Sequence, residues 1–193
     1  IGVRVPEDQP SSVILLELRG RGRVKGAVVE TRTEQVLVKC LRPGGIVASA
    51  EKREQGRAVI VENEDLVAQV QLREGLLTLA FKNTMYGQQN VWLRGGFGIG
   101  PPFGFLKPIE YSYEIVEKPK GLELVLSGLH PDKPGIKMMR MLTFFAGSSL
   151  VKDQVKVVNI NPEAAYDVNV RIGGSGSLDS IFNVFGPLMI CRV

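Results

Sequence analysis

Apolar and polar side chains alternate residue by residue through most of this 193-residue chain, and that period limits its fold more than any other feature. Leu122, Leu124 and Leu126 share one side of an extended backbone, with Glu123 and Ser127 on the other. Leu66, Ala68, Val70 and Leu72 alternate with Gln69 and Gln71, and Val168, Val170 and Ile172 with Asp167, Asn169 and Arg171. A period of two sets one face of a strand on a core and the other in water, as in antiparallel sheets. Strands are therefore expected at 13–19, 24–31, 35–41, 58–61, 66–72, 76–81, 90–93, 110–117, 122–127, 137–145, 150–159, 166–172 and 188–193.

Turn formers divide these runs: Arg42-Pro43-Gly44-Gly45, Arg73-Glu74-Gly75, Lys118-Pro119-Lys120-Gly121, Pro131-Asp132-Lys133-Pro134-Gly135, Ala146-Gly147-Ser148 and Asn161-Pro162-Glu163. Glycine permits positive φ and proline presets a turn, so each is a mechanistic stop. No stretch of a dozen residues carries a helical stripe; 177–185, with Ser177 as its cap, is the one short helix expected. Two glycine-rich stretches read as long loops. One is 95–108, with Phe97, Phe103 and Phe105 either plugging one end of the fold or serving a site; the other is 173–176. The expectation is a single all-β domain over 1–193, an antiparallel, supersandwich-like β-sandwich with at most one short helix. Residues 1–55, more basic and less regular, would be extra strands or a small subdomain.

Apolar residues make up 44% of the chain, enough to bury a core, and the net charge is only +4. The densest basic stretch, Arg19, Arg21, Arg23 and Lys25 among Gly20, Gly22 and Gly26, reads as a solvated hairpin tip. With few aromatics beside it, no nucleic-acid partner is expected. No apolar run reaches the roughly 18 residues of a membrane-spanning helix. Cys40 and Cys191 lack metal-ligand spacing and are read as buried free thiols, with a disulfide between the chain ends as the alternative. Residue 1 is Ile, which leaves a trimmed start or a removed leader open. Sparse serine and threonine with interleaved charges fit a thermophile's cytoplasm.

The chemistry-bearing residues are few. Gly95-Gly96-Phe97-Gly98-Ile99-Gly100 lacks a following helix and a Lys-Ser/Thr pair, so it cradles no phosphate, and no Gly-x-Ser-x-Gly elbow occurs. The only histidine, His130, sits in a Gly/Pro turn. It reads as a surface residue or, with Asp132 or Glu110, as an acid–base group; no metal or cofactor follows from it. The only tryptophan, Trp92, stands near Arg94 and before the glycine-rich stretch. An indole stacks on a sugar ring while a guanidinium forks onto hydroxyls, so Trp92, Arg94, Phe97 and Phe103 are the candidate carbohydrate contacts, against a plain core role for the tryptophan.

The order of features over 59–172 resembles the galactose mutarotase-like β-supersandwich, the fold of aldose 1-epimerases. Val61-Glu62-Asn63-Glu64-Asp65-Leu66 looks like its opening strand, Gly75-Leu76-Leu77-Thr78-Leu79 like its glycine-initiated second strand. Leu93-Arg94-Gly95-Gly96 sits where epimerases carry Leu-His-Gly-Gly. Pro134-Gly135 with the strand after it, and 150–159 closing on Asn159, fit the same order. The resemblance implies a sugar-binding fold but departs from the family at its chemistry: Arg94 replaces the sugar-binding histidine, no histidine stands near 166–170 for the general acid, and the late glutamate base has no strand to carry it. Binding without mutarotation is the expectation. A structural sandwich that self-associates or docks on a partner is the alternative, and a divergent epimerase or glycoside hydrolase is the third reading.

Overall fold

The structure is a computed structural model that describes residues 10–19, 21–30, 34–53, 56–82, 91–99, 109–166 and 170–177. Every regular element among them is a strand: β1 (Ser12–Leu18), β2 (Arg21–Val24), β3 (Ala27–Glu30), β4 (Glu34–Cys40), β5 (Ile46–Arg53), β6 (Gly56–Asn63), β7 (Leu66–Gln71), β8 (Leu77–Phe81), β9 (Val91–Ile99), β10 (Ser112–Lys118), β11 (Gly121–His130), β12 (Lys133–Phe145), β13 (Val151–Asn159) and β14 (Val170–Ser177). For β9 and β14 the structure gives the backbone course and register. Six strands form one sheet in the order β14-β9-β8-β7-β6-β5, and four form another in the order β10-β11-β12-β13. All pairings are antiparallel, as the alternating sequence requires.

The two sheets meet through one apolar core. Val59 and Val61 of β6, Leu66, Ala68 and Val70 of β7, and Leu77 and Leu79 of β8 come from the first sheet. Leu122, Leu124 and Leu126 of β11 and Met138, Leu142 and Phe144 of β12 come from the second. These are the apolar phases of the sequence alternation, so the pattern sorts inside from outside. Asn63, fully buried, joins the layers at one end. Its Nδ2 donates to Phe145 O (3.0 Å) and Ser148 O (2.8 Å), and its Oδ1 accepts from the Asp65 and Leu66 N–H groups (2.9 and 2.8 Å).

Residues 12–40 build two stacked hairpin segments, β1 with β4 and β2 with β3. Lys25 and Gly26, both at positive φ (48° and 83°), make the two-residue turn at the tip. This is the type I′ pattern that matches strand twist. The turn thus falls at the last of the three spacers Gly20, Gly22 and Gly26, inside the expected 24–31 strand. The tip is solvated, as read from the sequence. At the base, Lys39 reaches Glu51 (3.2 Å) and Glu62 (3.6 Å) of the six-stranded sheet.

Four readings need correction. Residues 95–99 are not loop but the second half of β9, paired along their length with β14 and at Gly95 also with β8. Residues 173–176 are likewise strand, with Gly173 opposite Gly96 and Gly174 opposite Gly95. Glycine has low strand propensity, but the continuous β14 ladder along β9, joined by β8 up to Gly95, outweighs that weak preference. Ser177 ends β14 rather than capping a helix. β5, whose Ile46-Val-Ala-Ser-Ala run alternates only weakly, was not expected as a strand at all, and it closes the six-stranded sheet. Phe103, Phe105, Cys191 and the 188–193 strand lie outside the described residues; Cys40 is a half-buried free thiol.

Candidate functional site

The register brings the sequence candidates onto the outer face of the six-stranded sheet. Two rungs cross it. One runs Val47, Glu62, Val67, Ala80, Trp92, Ser177; the other runs Ser49, Ile60, Gln69, Thr78, Arg94, Ser175. Trp92 and Arg94 therefore hold neighbouring positions on one sheet face, flanked by Thr78 on β8 and by Ser175 and Ser177 on β14. Phe97, odd-numbered and opposite Ile172, falls in the other phase of the same strand, so the backbone separates it from Trp92 and Arg94. At the β5–β6 end the outer face is covered: Val47, Ser49 and Ile60 are buried. Toward β7 and β8 it opens, with Val67, Gln69, Thr78 and Ala80 half-buried.

Charges line the boundary between the covered and the open parts. Lys82 Nζ bonds Glu62 Oε1 (2.6 Å) and Asn63 O (2.8 Å), and Glu62 Oε2 faces Lys39. An open groove of about 600 Å³ lies beside this network, lined by Leu37, Lys39, Ala50, Glu51 and Lys52. It is distant in register from Trp92 and Arg94, which stand on strands two or more removed from β6.

A second polar cluster lies inside the sandwich. Arg140 occupies the apolar phase of β12, between Met138 and Leu142, and is 1% exposed. Its Nε donates to Asp153 Oδ1 (3.0 Å), its Nη2 to Asp153 Oδ2 (2.5 Å), and its Nη1 to the carbonyl of Gly75 in the opposite layer. Tyr111, also buried, packs near Gly75, and its backbone N–H donates to Leu72 O (2.7 Å). Among the described residues no buried side-chain polar atom lacks a hydrogen-bond partner, so this cluster is closed on itself and reads as a bolt between layers. Sequence reading passed over it, although a lone arginine among Met138, Leu142 and Phe144 is a visible break in an apolar phase.

Burial pushes the Tyr111 hydroxyl up from 10.0 to about 12, with the Arg140 charge pulling the other way. A raised folded-state value means that Tyr111 contributes stability that is complete below pH 10 and lost as pH rises toward 12. The expected loss across that window is about 2–3 kcal/mol. Urea titrations of Tyr111→Phe, compared with the parent between neutral pH and pH 12, should show the variant keeping that share of its stability.

His130 is not the surface turn residue expected. It ends β11 after a register shift at Leu129/His130 and is 8% exposed. Its Nδ1 accepts the Asp132 backbone N–H (3.2 Å). Asp132 and Glu110 are exposed. The chain at 109–111 passes tightly along Gly128, where a Cβ would come within 2.7 Å of Ile109 Cγ2 and 3.1 Å of Glu110 O. These three catalytic candidates thus gather at one end of the four-stranded sheet, on a different sheet from Trp92 and Arg94. No group of three or more His, Cys, Asp or Glu among the described residues is placed to hold a metal ion. No helix there is long and apolar enough to cross a membrane.

Comparison with protein-family models, with curated proteins and with solved structures gives no match. The mutarotase-like resemblance accordingly rests on the order of sequence features alone.

Proposed function

We propose that the chain is a carbohydrate-binding, non-catalytic β-sandwich of the galactose mutarotase-like kind, with its sugar on the outer face of β7, β8, β9 and β14. One observation carries the reading: the rungs Ala80–Trp92–Ser177 and Gln69–Thr78–Arg94–Ser175 set a tryptophan, an arginine, a glutamine and hydroxyl residues at adjacent register positions on one side of the sheet. A sugar offers an apolar ring face and a rim of hydroxyls. An aromatic beside planar donors answers both, and a rigid sheet presents them at low entropic cost. Ring opening needs an acid and a base at one anomeric centre, and the single histidine stands on the other sheet.

Because Trp92 is the only tryptophan, its fluorescence reports on this face alone. Titration with a panel of mono- and oligosaccharides is expected to shift its emission for at least one sugar. Arg94→Ala should weaken that sugar about tenfold or more, the scale of an interface hot spot. A panel that leaves both Trp92 emission and the thermal midpoint unmoved rejects the reading.

A further inference from the structure

The β2–β3 tip stands free. Every residue from Arg21 to Glu30 is exposed, and a Cβ built on Gly22 or Gly26 meets nothing within 4 Å. Three of the ten large apolar residues exposed among the described ones, Val24 at 60%, Val28 and Val29, lie on this tip, and three more, Leu15, Val36 and Leu37, on β1 and β4. Its register sorts the tip into two faces. Arg21 and Arg23 share one with Val28 and Glu30, while Gly22, Val24, Ala27 and Val29 form the other. A lone two-stranded ribbon is marginal in water, and exposed valines on it mark a surface made to be covered. Arg19, Arg21, Arg23 and Lys25 against Glu30 alone give residues 19–30 three of the chain's four net positive charges. The Arg21–Glu30 pair, 3.9 Å apart and largely exposed, neutralises little.

The matching surface is on the same chain. β10 is an edge strand among the described residues, paired on one side only, to β11. Such an edge offers a row of backbone donors and acceptors for another strand. Residues 110–118 carry Glu110, Glu114 and Glu117 against Lys118, which pairs with Glu123 of β11, and an exposed Ile115. Two net negative charges and an apolar side chain thus mark an open edge, opposite in sign to the three net positive charges of residues 19–30.

We propose that the ribbon tip of one copy docks on the β10 edge of a second copy, strand beside strand, in a head-to-tail contact steered by these charges. Sedimentation velocity on the full chain should show concentration-dependent association. That association should weaken about tenfold as salt rises from roughly 0.05 M to roughly 0.5 M, where the screening length falls well below 10 Å. Arg21→Glu with Arg23→Glu, and separately Glu114→Arg with Glu117→Arg, should each sediment as monomers with unchanged far-ultraviolet circular dichroism. Their equimolar mixture, which holds one intact tip and one intact edge, should associate again. A parent chain that stays monomeric at about 100 µM overturns the proposal, since weak specific contacts are populated at that concentration. Association that both charge reversals leave unchanged overturns it too. So does a monomer that binds anionic vesicles or duplex DNA through Arg21 and Arg23, because the tip would then serve a different partner.

Discussion

Asp153→Ala is expected to lower the unfolding free energy by about 3 kcal/mol, because it removes the carboxylate that accepts from two nitrogens of the buried, charged Arg140 guanidinium. Arg140 has nowhere to turn: its side chain is 2% exposed, and its Nη1 is held by the Gly75 carbonyl of the other layer. Asp153 is the wetter end of the pair, with 29% of its side chain exposed, which keeps the effect toward the lower end of the range for broken buried pairs. Replacing both partners, Arg140→Met with Asp153→Leu, removes the buried charge and should return stability to within about 1 kcal/mol of the parent. Urea titration followed by circular dichroism measures both variants. A near-neutral Asp153→Ala would mean that the guanidinium reaches water and does not join the layers.

Asn63→Asp should cost still more. The amide donates twice, to Phe145 O and Ser148 O, and its carbonyl accepts the Asp65 and Leu66 N–H groups. A carboxylate keeps the acceptor role but puts one oxygen where Nδ2 stood, facing two carbonyl oxygens, at a residue with no exposed surface. Two carbonyls lose their partners and a charge is buried, a penalty of about 4 kcal/mol or more. The deficit should shrink as pH falls, since protonation disfavours the buried charge and restores one donor. Chemical denaturation at neutral and acid pH reads both effects.

The layered plan was legible in the sequence wherever burial is one-sided. Leu122, Leu124 and Leu126, or Leu66, Ala68 and Val70, show their inner face directly, because the side chains that touch the core are the ones that alternate. What was not legible came from partners distant along the chain. Gly95 and Gly96 look like loop by composition; they are strand because β14 pairs with both and β8 with Gly95, and Gly173 and Gly174 lie far away in sequence. β5 has too little alternation to stand out, being covered on parts of both faces. His130 sits between turn formers, yet the register shift at the end of β11 goes with a buried ring. For the candidate site, the neighbouring residues Trp92 and Arg94 could be named from chemistry alone. Thr78, Gln69 and Ser175 could not, because only the pairing of β7, β8, β9 and β14 sets them on the same face.

That pairing is also what the proposed sugar face stands on, and amide hydrogen exchange across residues 91–99 tests it most directly. If β9 runs as the register has it, its amides from 91 to 95 should exchange as slowly as those of β7 and β8, and those of 96–99, paired with β14 alone, should still exchange well below the unstructured rate. Exchange of 95–99 at the rate of an unstructured peptide would return that stretch to a loop and dissolve the face on which Trp92, Arg94, Thr78 and Ser175 meet.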